Sequence, residues 1–350
     1  MERNLSIDYL KVLGLMGVIL AHVGIGQFLF QVRNFDVTLL VICSGALSQQ
    51  SLAIGSMTTV NYIRKRVARL VIPSWIFLIL FFLMNYAISK AAQKDFLYAP
   101  NDIIQEFLFR SKIIGLWIIR IFIFIACALP LIHAFRRKLS HNGLFFLFLM
   151  SILILLELIH VFLPSNTSMT YKIANVTVFQ FVPYACICGF GLLLSSLDRR
   201  STLMVAVFFL AIYLFLYILY SGLGISISTQ AFKYPPRMYY LSYGVFVTFL
   251  LYLFFETLKP KFNRLIVFMS SSLLWIYLWH WFFLGYAVRI SQFVPLVPTG
   301  LLQSPLVQFL LILAVSVGLT LIQKVIIRNF ISAYKPSVRT TAFLTVAFLQ

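Results

Sequence analysis

The sequence predicts an all-α polytopic membrane protein with about ten transmembrane helices and both termini cytoplasmic. Three observations carry that prediction. Of 350 residues, 61% are apolar by type and only 11% are charged, whereas a soluble domain carries about a quarter charged residues. Apolar stretches recur from end to end, each long enough to cross a hydrocarbon core about 30 Å thick. Lys and Arg outnumber Asp and Glu by 28 to 9 and sit in short clusters between those stretches, which is the pattern of the positive-inside rule. The same placement argues against nucleic acid as the partner of the +19 net charge. The aromatics lie inside the apolar runs and are not interleaved with the basic residues.

Taken in order, the apolar runs predict helices at 12–31, 35–54, 70–89, 113–133, 143–163, 176–196, 202–221, 239–257, 268–288 and 303–323. With the N-terminus inside, segments 1–11, 55–69, 134–142, 197–201, 258–267 and 324–350 hold 18 of the 28 basic residues. The opposite segments hold nine, among them Arg33, Lys112, Lys172, Lys233 and Arg237, and Arg120 is left inside a span. The strongest votes are Arg64 to Arg69 and Arg136 to Lys138, because short loops set orientation. The run from Val12 to Phe30 follows no strongly basic leader and precedes no small-residue cleavage site, so it reads as a retained helix. Within 90–112, Pro100-Asn-Asp is a plausible start for a short interfacial helix. The chain reads as one transmembrane domain over 1–350, with a core at 8–323 and a basic cytoplasmic tail at 324–350. Segments 1–11 and 324–350 are expected along the membrane surface. Cys43, Cys127, Cys186 and Cys188 fall in apolar runs without the paired spacing of a zinc site. They read as packing residues, and no metal is expected.

Ionisable residues at membrane depth are the informative ones, since lipid exposure costs each of them several kcal/mol. His22 falls about eleven residues into the first expected helix, beside Ala21, Gly24 and Gly26, whose small size permits close helix approach. It reads either as a histidine bonded between helices or as a general base, because neutral imidazole accepts a proton near pH 7. Lys11 lies about 16 Å below it along a helix axis and shares a face with Asp8; an interfacial anchor is the default for a lysine there. Arg120, inside the fourth span, either snorkels outward or lines a cavity and pairs with Glu157 or an acceptor oxygen. Glu157 and His160, three apart on one helix, are placed to hydrogen bond to a partner helix. Trp275-Ile-Tyr-Leu-Trp-His-Trp281 puts three tryptophans, Tyr277 and His280 in mid-span, as packing or as an aromatic wall for a sugar or acyl chain. His133 and His141 read as surface residues. Arg64, Lys65, Arg66 and Arg69 form the best anion site, either holding phosphates through charge-assisted bonds or touching anionic lipid.

Together these residues resemble the acyltransferase-3 family of membrane O-acyltransferases. The matching elements are Asp8-Tyr-Leu-Lys11, then ten residues, then His22; Asn34-Phe-Asp36 through Cys43-Ser-Gly45; and Lys65-Arg66-Val-Ala-Arg69 before Pro73. They continue with Leu116-Trp117, Lys233-Tyr-Pro-Pro-Arg-Met-Tyr-Tyr240, and Ser270 through Trp281. Thr38 stands where many members have proline, and Lys65 replaces an arginine, keeping charge but losing the planar fork.

The resemblance implies an acyl-CoA-dependent enzyme of a bacterial inner membrane that O-acetylates a surface or lipid-linked glycan. It binds no permanent cofactor; acetyl-CoA or another acyl-CoA is a co-substrate. His22 is then the general base. Lys11, Tyr277 or His280 would orient it or stabilise the oxyanion, although a separation of about 16 Å favours Lys11 helping to hold the donor, whose phosphates the Arg64, Lys65, Arg66, Arg69 run would meet. Trp117, Arg120 and Glu157 lie on the acceptor side, near the Pro235-Pro236 loop. A transporter or exporter of a lipid-linked glycan is the competing reading. It should show internal repeats with broken mid-membrane helices, of which the sequence gives no sign.

Overall fold

A computed structural model describes residues 3–53, 58–110, 113–139, 141–162, 173–175, 177–293 and 304–349. The fold is all-α. Its helices are α1 Leu5–Leu20, α2 Gln27–Val32, α3 Asp36–Ala53, α4 Thr59–Ala91, α5 Pro100–Phe107, α6 Trp117–Lys138 and α7 Asn142–Phe162. They continue with α8 Val178–Leu194, α9 Arg199–Gly222, α10 Met238–Leu258, α11 Arg264–Ser271, α12 Leu273–Phe293, α13 Pro305–Tyr334 and α14 Val338–Leu344. Among the described residues, eight helical stretches are long and apolar enough to cross a membrane, or nine if the bent pair α11 and α12 counts as one span. The sequence expectation was about ten. The deficit is at the start, where α1 has 16 residues, about 24 Å, and falls short of the hydrocarbon thickness.

Four boundaries differ from expectation for physical reasons. The expected helix 12–31 is two helices, because Gly24 takes φ +69°, a left-handed conformation that ends a helix and suits glycine. Neither Gly24 nor Gly26 has a neighbour within 4 Å of an added Cβ, so these glycines make a turn and not the close packing expected of them. α4 begins at Thr59, not at 70, and its 33 residues run about 50 Å. The basic run therefore forms the first turns of a rod that exceeds the bilayer core by roughly 20 Å. The expected helix 268–288 is broken: α11 and α12 meet at 80°, with Ser272 wholly buried at the bend. α13 continues to Tyr334, so Lys324 and Arg328 belong to a helix and not to a surface tail. The expected helix at 100 is present as α5. Lys112 and Lys172 lie outside the described residues.

The chain divides into two compact units, the first Met1–Val18, Gly26–Thr59 and Phe124–Val267, the second Ile19–Ile25, Val60–Ile123 and Phe268–Gln350. In the first unit α3 and α8 pack backbone to backbone. A Cβ on Gly45 would lie 2.0 Å from the Cys188 carbonyl oxygen, and one on Gly191 would lie 2.1 Å from that of Ile42. Small residues at both contacts let the helices approach this closely, the usual device where lipid supplies no hydrophobic drive. In the second unit the C-terminal segment folds onto α12. The Trp275 indole N–H donates to the Ala347 carbonyl at 2.9 Å, and its ring stacks on Phe348 at 5.7 Å. Trp279 donates to Gln323 Oε1 at 3.0 Å, and Gln323 Nε2 donates to the Phe348 carbonyl at 3.3 Å. The tail is thus docked on α12 by paired polar groups.

Candidate functional site

In the second unit, the end of α1 delivers His22. Its backbone N–H donates to the Ile19 carbonyl at 3.0 Å in the turn after the helix, and its side chain is exposed. The ring is therefore neither in mid-helix nor sealed in packing. Two rings of α12 back it. Trp281 lies 4.5 Å away between centroids and His280 lies 5.8 Å away. The two are consecutive on a helix fixed by its buried face, Trp275, Ile276, Tyr277 and Leu278.

His280 is wholly buried, and its Nδ1 contacts the Tyr277 carbonyl one turn earlier. With the proton on Nδ1 donating to that oxygen, Nε2 carries a lone pair; the tautomer is assigned from the bond partner. Nε2 is buried and has no hydrogen-bond partner. Tyr277 donates its hydroxyl proton to the Gly115 carbonyl at 2.8 Å. That proton is committed to the backbone and does not point at a reacting group. The arrangement offers one accessible imidazole, His22, against an aromatic wall, which is what a proton acceptor for a bound hydroxyl requires.

The basic run lies on one helix of the same unit. Arg64, Lys65 and Arg69 are exposed and Arg66 is half-buried, its guanidinium 5.6 Å from the Tyr62 ring. Arg66 and Arg69, three apart, share a helical face. Pro73 lies inside α4 and lacks the N–H that would bond the Arg69 carbonyl. Trp117 is the first residue of α6, and Arg120 falls in its first turn, both half-buried. Arg120 is therefore nearer the helix end than the expected start at 113 implied.

In the first unit, Lys11 is half-buried, about two and a half turns before the end of α1. Asp8 on the same helix is held by Arg3 through a two-pronged ion pair. Glu157 takes two bonds from Arg237, Nε at 3.0 Å and Nη2 at 2.6 Å, and the Met238 N–H at 2.9 Å. It thereby clamps the start of α10 to α7 beside Pro235 and Pro236, which line the same small groove.

Sequence reasoning missed a buried ion network in this unit. Asp36 Oδ2 accepts from Arg33 at 2.8 Å, and Asp36 Oδ1 accepts the Val37 N–H at 2.7 Å and Lys233 Nζ at 3.5 Å. Lys233 also donates to Asn34 Oδ1 at 3.4 Å, and Asn34 donates to Thr229 Oγ1 at 2.8 Å. Burial pulls the Lys233 ammonium below its ordinary value and Arg33 pushes the same way, while Asp36 opposes both. Arg33 and Lys233 were expected only as charges of the segments opposite the cytoplasmic ones. The available signal was an aspartate at the mouth of a span in a chain with nine acids.

Glu106, which the sequence did not single out, is part of the second unit. It is wholly buried, and its Oε1 accepts the Ile114 N–H at 2.9 Å. Among the described residues no group of three His, Cys, Asp or Glu is placed to hold a metal ion.

A family model described as an acyltransferase domain matches residues 4–323. No curated protein and no solved structure matches the chain.

Proposed function

The chain belongs to the acyltransferase-3 family, and on that premise we propose that it moves an acyl group, acetyl by default, from cytoplasmic acyl-CoA to a hydroxyl of an extracytoplasmic or lipid-linked glycan. The observation that carries this reading is the exposed His22 imidazole backed by Trp281 and His280. In the step itself, His22 takes the proton of the acceptor hydroxyl as that oxygen attacks the thioester carbonyl. The C–S bond then breaks, and the CoA thiolate leaves with the electron pair. Base catalysis of this kind contributes about 10²–10⁴-fold.

The donor's phosphates meet Arg64, Lys65, Arg66 and Arg69, whose overhang on α4 carries them past the hydrocarbon. Arginine suits this task because its planar fork bonds two phosphate oxygens at once. Lys11 assists at the donor side. Tyr277 and His280 hold the wall that faces His22. Trp117, Arg120 and Glu157 serve the acceptor, Glu157 by fixing the loop that carries Pro235 and Pro236. The site belongs to a bacterial inner membrane with both termini cytoplasmic.

The 80° break between α11 and α12 favours a second reading, export of a lipid-linked glycan, because broken helices mark transport sites. Mass spectrometry of surface glycan from cells lacking the protein, or carrying His22→Ala at normal abundance, separates the two. Loss of the acyl group with glycan intact supports transfer. Loss of the glycan itself supports export, and an unchanged acyl content in the His22→Ala strain removes the transferase reading.

A further inference from the structure

We infer that Glu106 is a positioning residue for His22, acting through the backbone at 114–115 and the aromatic wall of α12. The inference deepens the proposed role of His22 and rests on it for its catalytic meaning.

Glu106 sits at the end of α5, wholly buried. Its Oε1 accepts the Ile114 N–H across eight residues, while its Oε2 is buried with no protein partner. Burying a carboxylate for one backbone bond is costly, so the position is spent on fixing that backbone. The next residue, Gly115, makes the two contacts that matter. Its carbonyl accepts the Tyr277 hydroxyl at 2.8 Å. Its Cα forms the seat of Trp281: an added Cβ would lie 2.1 Å from the indole Cζ2, and its φ of +52° is one that other residues rarely adopt. Trp281 in turn lies against His22. The route from carboxylate to imidazole therefore has four named links, all within the second unit.

The first test does not depend on activity. Diethyl pyrocarbonate carbethoxylates exposed imidazoles, and mass spectrometry of the purified full chain gives a rate for each histidine. Glu106→Ala frees the loop, Trp281 moves away from the ring, and the His22 rate rises about twofold as the wall opens locally and its ring nitrogens are more often accessible. His133 and His141 keep their rates. Glu106→Gln retains the acceptor oxygen and restores the wild-type rate. Gly115→Ala, which unseats Trp281 without touching Glu106, gives the same rise and serves where Glu106→Ala fails to accumulate. An unchanged His22 rate in both Glu106→Ala and Gly115→Ala overturns the inference, as does a Gln variant that behaves like Ala.

The second test reads transfer: Glu106→Ala lowers kcat about a hundredfold, the scale of a 1 Å misplacement, and leaves the donor KM unchanged. A raised donor KM with kcat intact also overturns the inference. If the labelling rates shift as stated but wild-type protein transfers no acyl group, positioning stands and the transferase reading fails.

Discussion

The two polar centres of this molecule are built on opposite plans. In the first unit, Arg33, Asn34, Asp36 and Lys233 are all buried, and each bonds to a member of the same network. Both Asp36 oxygens are engaged. In the second unit, the exposed His22 ring packs against the rings of Trp281 and His280, and His280 Nε2 and Glu106 Oε2 are buried with no hydrogen-bond partner. The first network commits both Asp36 oxygens to holding a loop to a helix and leaves the Arg33 Nε–H unpaired. The second leaves acceptors unpaired, His280 Nε2 and Glu106 Oε2. The difference separates a latch from a site, although both use ionisable groups in an apolar chain.

Variants can break this contrast. The largest effect is expected from Asp36→Ala, which leaves two buried cations uncompensated. Removing one partner of a buried pair costs about 3–5 kcal/mol, so the protein should fail to accumulate or unfold well below the wild type in a thermal scan in detergent. His22→Ala should do the reverse. Acyl transfer falls by about 10²–10⁴-fold, while the unfolding midpoint stays near the wild type because an exposed ring is removed. A latch-like loss of stability in His22→Ala would erase the distinction.

Arg66→Ala with Arg69→Ala is expected to raise the donor KM about tenfold through lost charge-assisted bonds, leaving kcat at saturating donor near the wild type. The wild-type donor KM should also rise with salt as exposed charges are screened. The smallest effect is expected from Trp275→Phe, which keeps the ring against Phe348 but loses the bond to the Ala347 carbonyl. That costs about 1 kcal/mol, readable as faster proteolysis of the tail.

The sequence made the spans legible because uninterrupted apolar runs are a composition signal, and most helices lie where those runs are. It was less informative where a boundary depends on backbone conformation. Gly24 turns the chain inside a run that stays apolar to Phe30, so hydropathy registers no break. The bend at Ser272 falls in a short serine run, Ser270 to Ser272, flanked by apolar residues, and three small polar residues do not by themselves end a span. The basic turns of α4 lie outside the apolar run, so the helix was expected to start eleven residues too late. The site was legible in its residue types: His22 and the aromatic cluster near His280 were singled out, and the structure brings His22, His280 and Trp281 together. Their supports were not legible. Tyr277 finds its acceptor 162 residues away, and Lys233 finds Asp36 197 residues away. Such pairs leave no mark in local pattern. Glu106 looked like any loop carboxylate because its burial is decided by how α5 packs.

The length of α4 has a geometric corollary. Its charges and the apolar residues beyond Pro73 belong to one unbroken helix, so their angular relation is fixed by the 3.6-residue period. Inserting a single alanine between Arg69 and Pro73 would keep every side chain and the net charge, yet would swing the guanidinium face about 100° around the axis. Donor capture would then depend on rotational phase as much as on which residues are present.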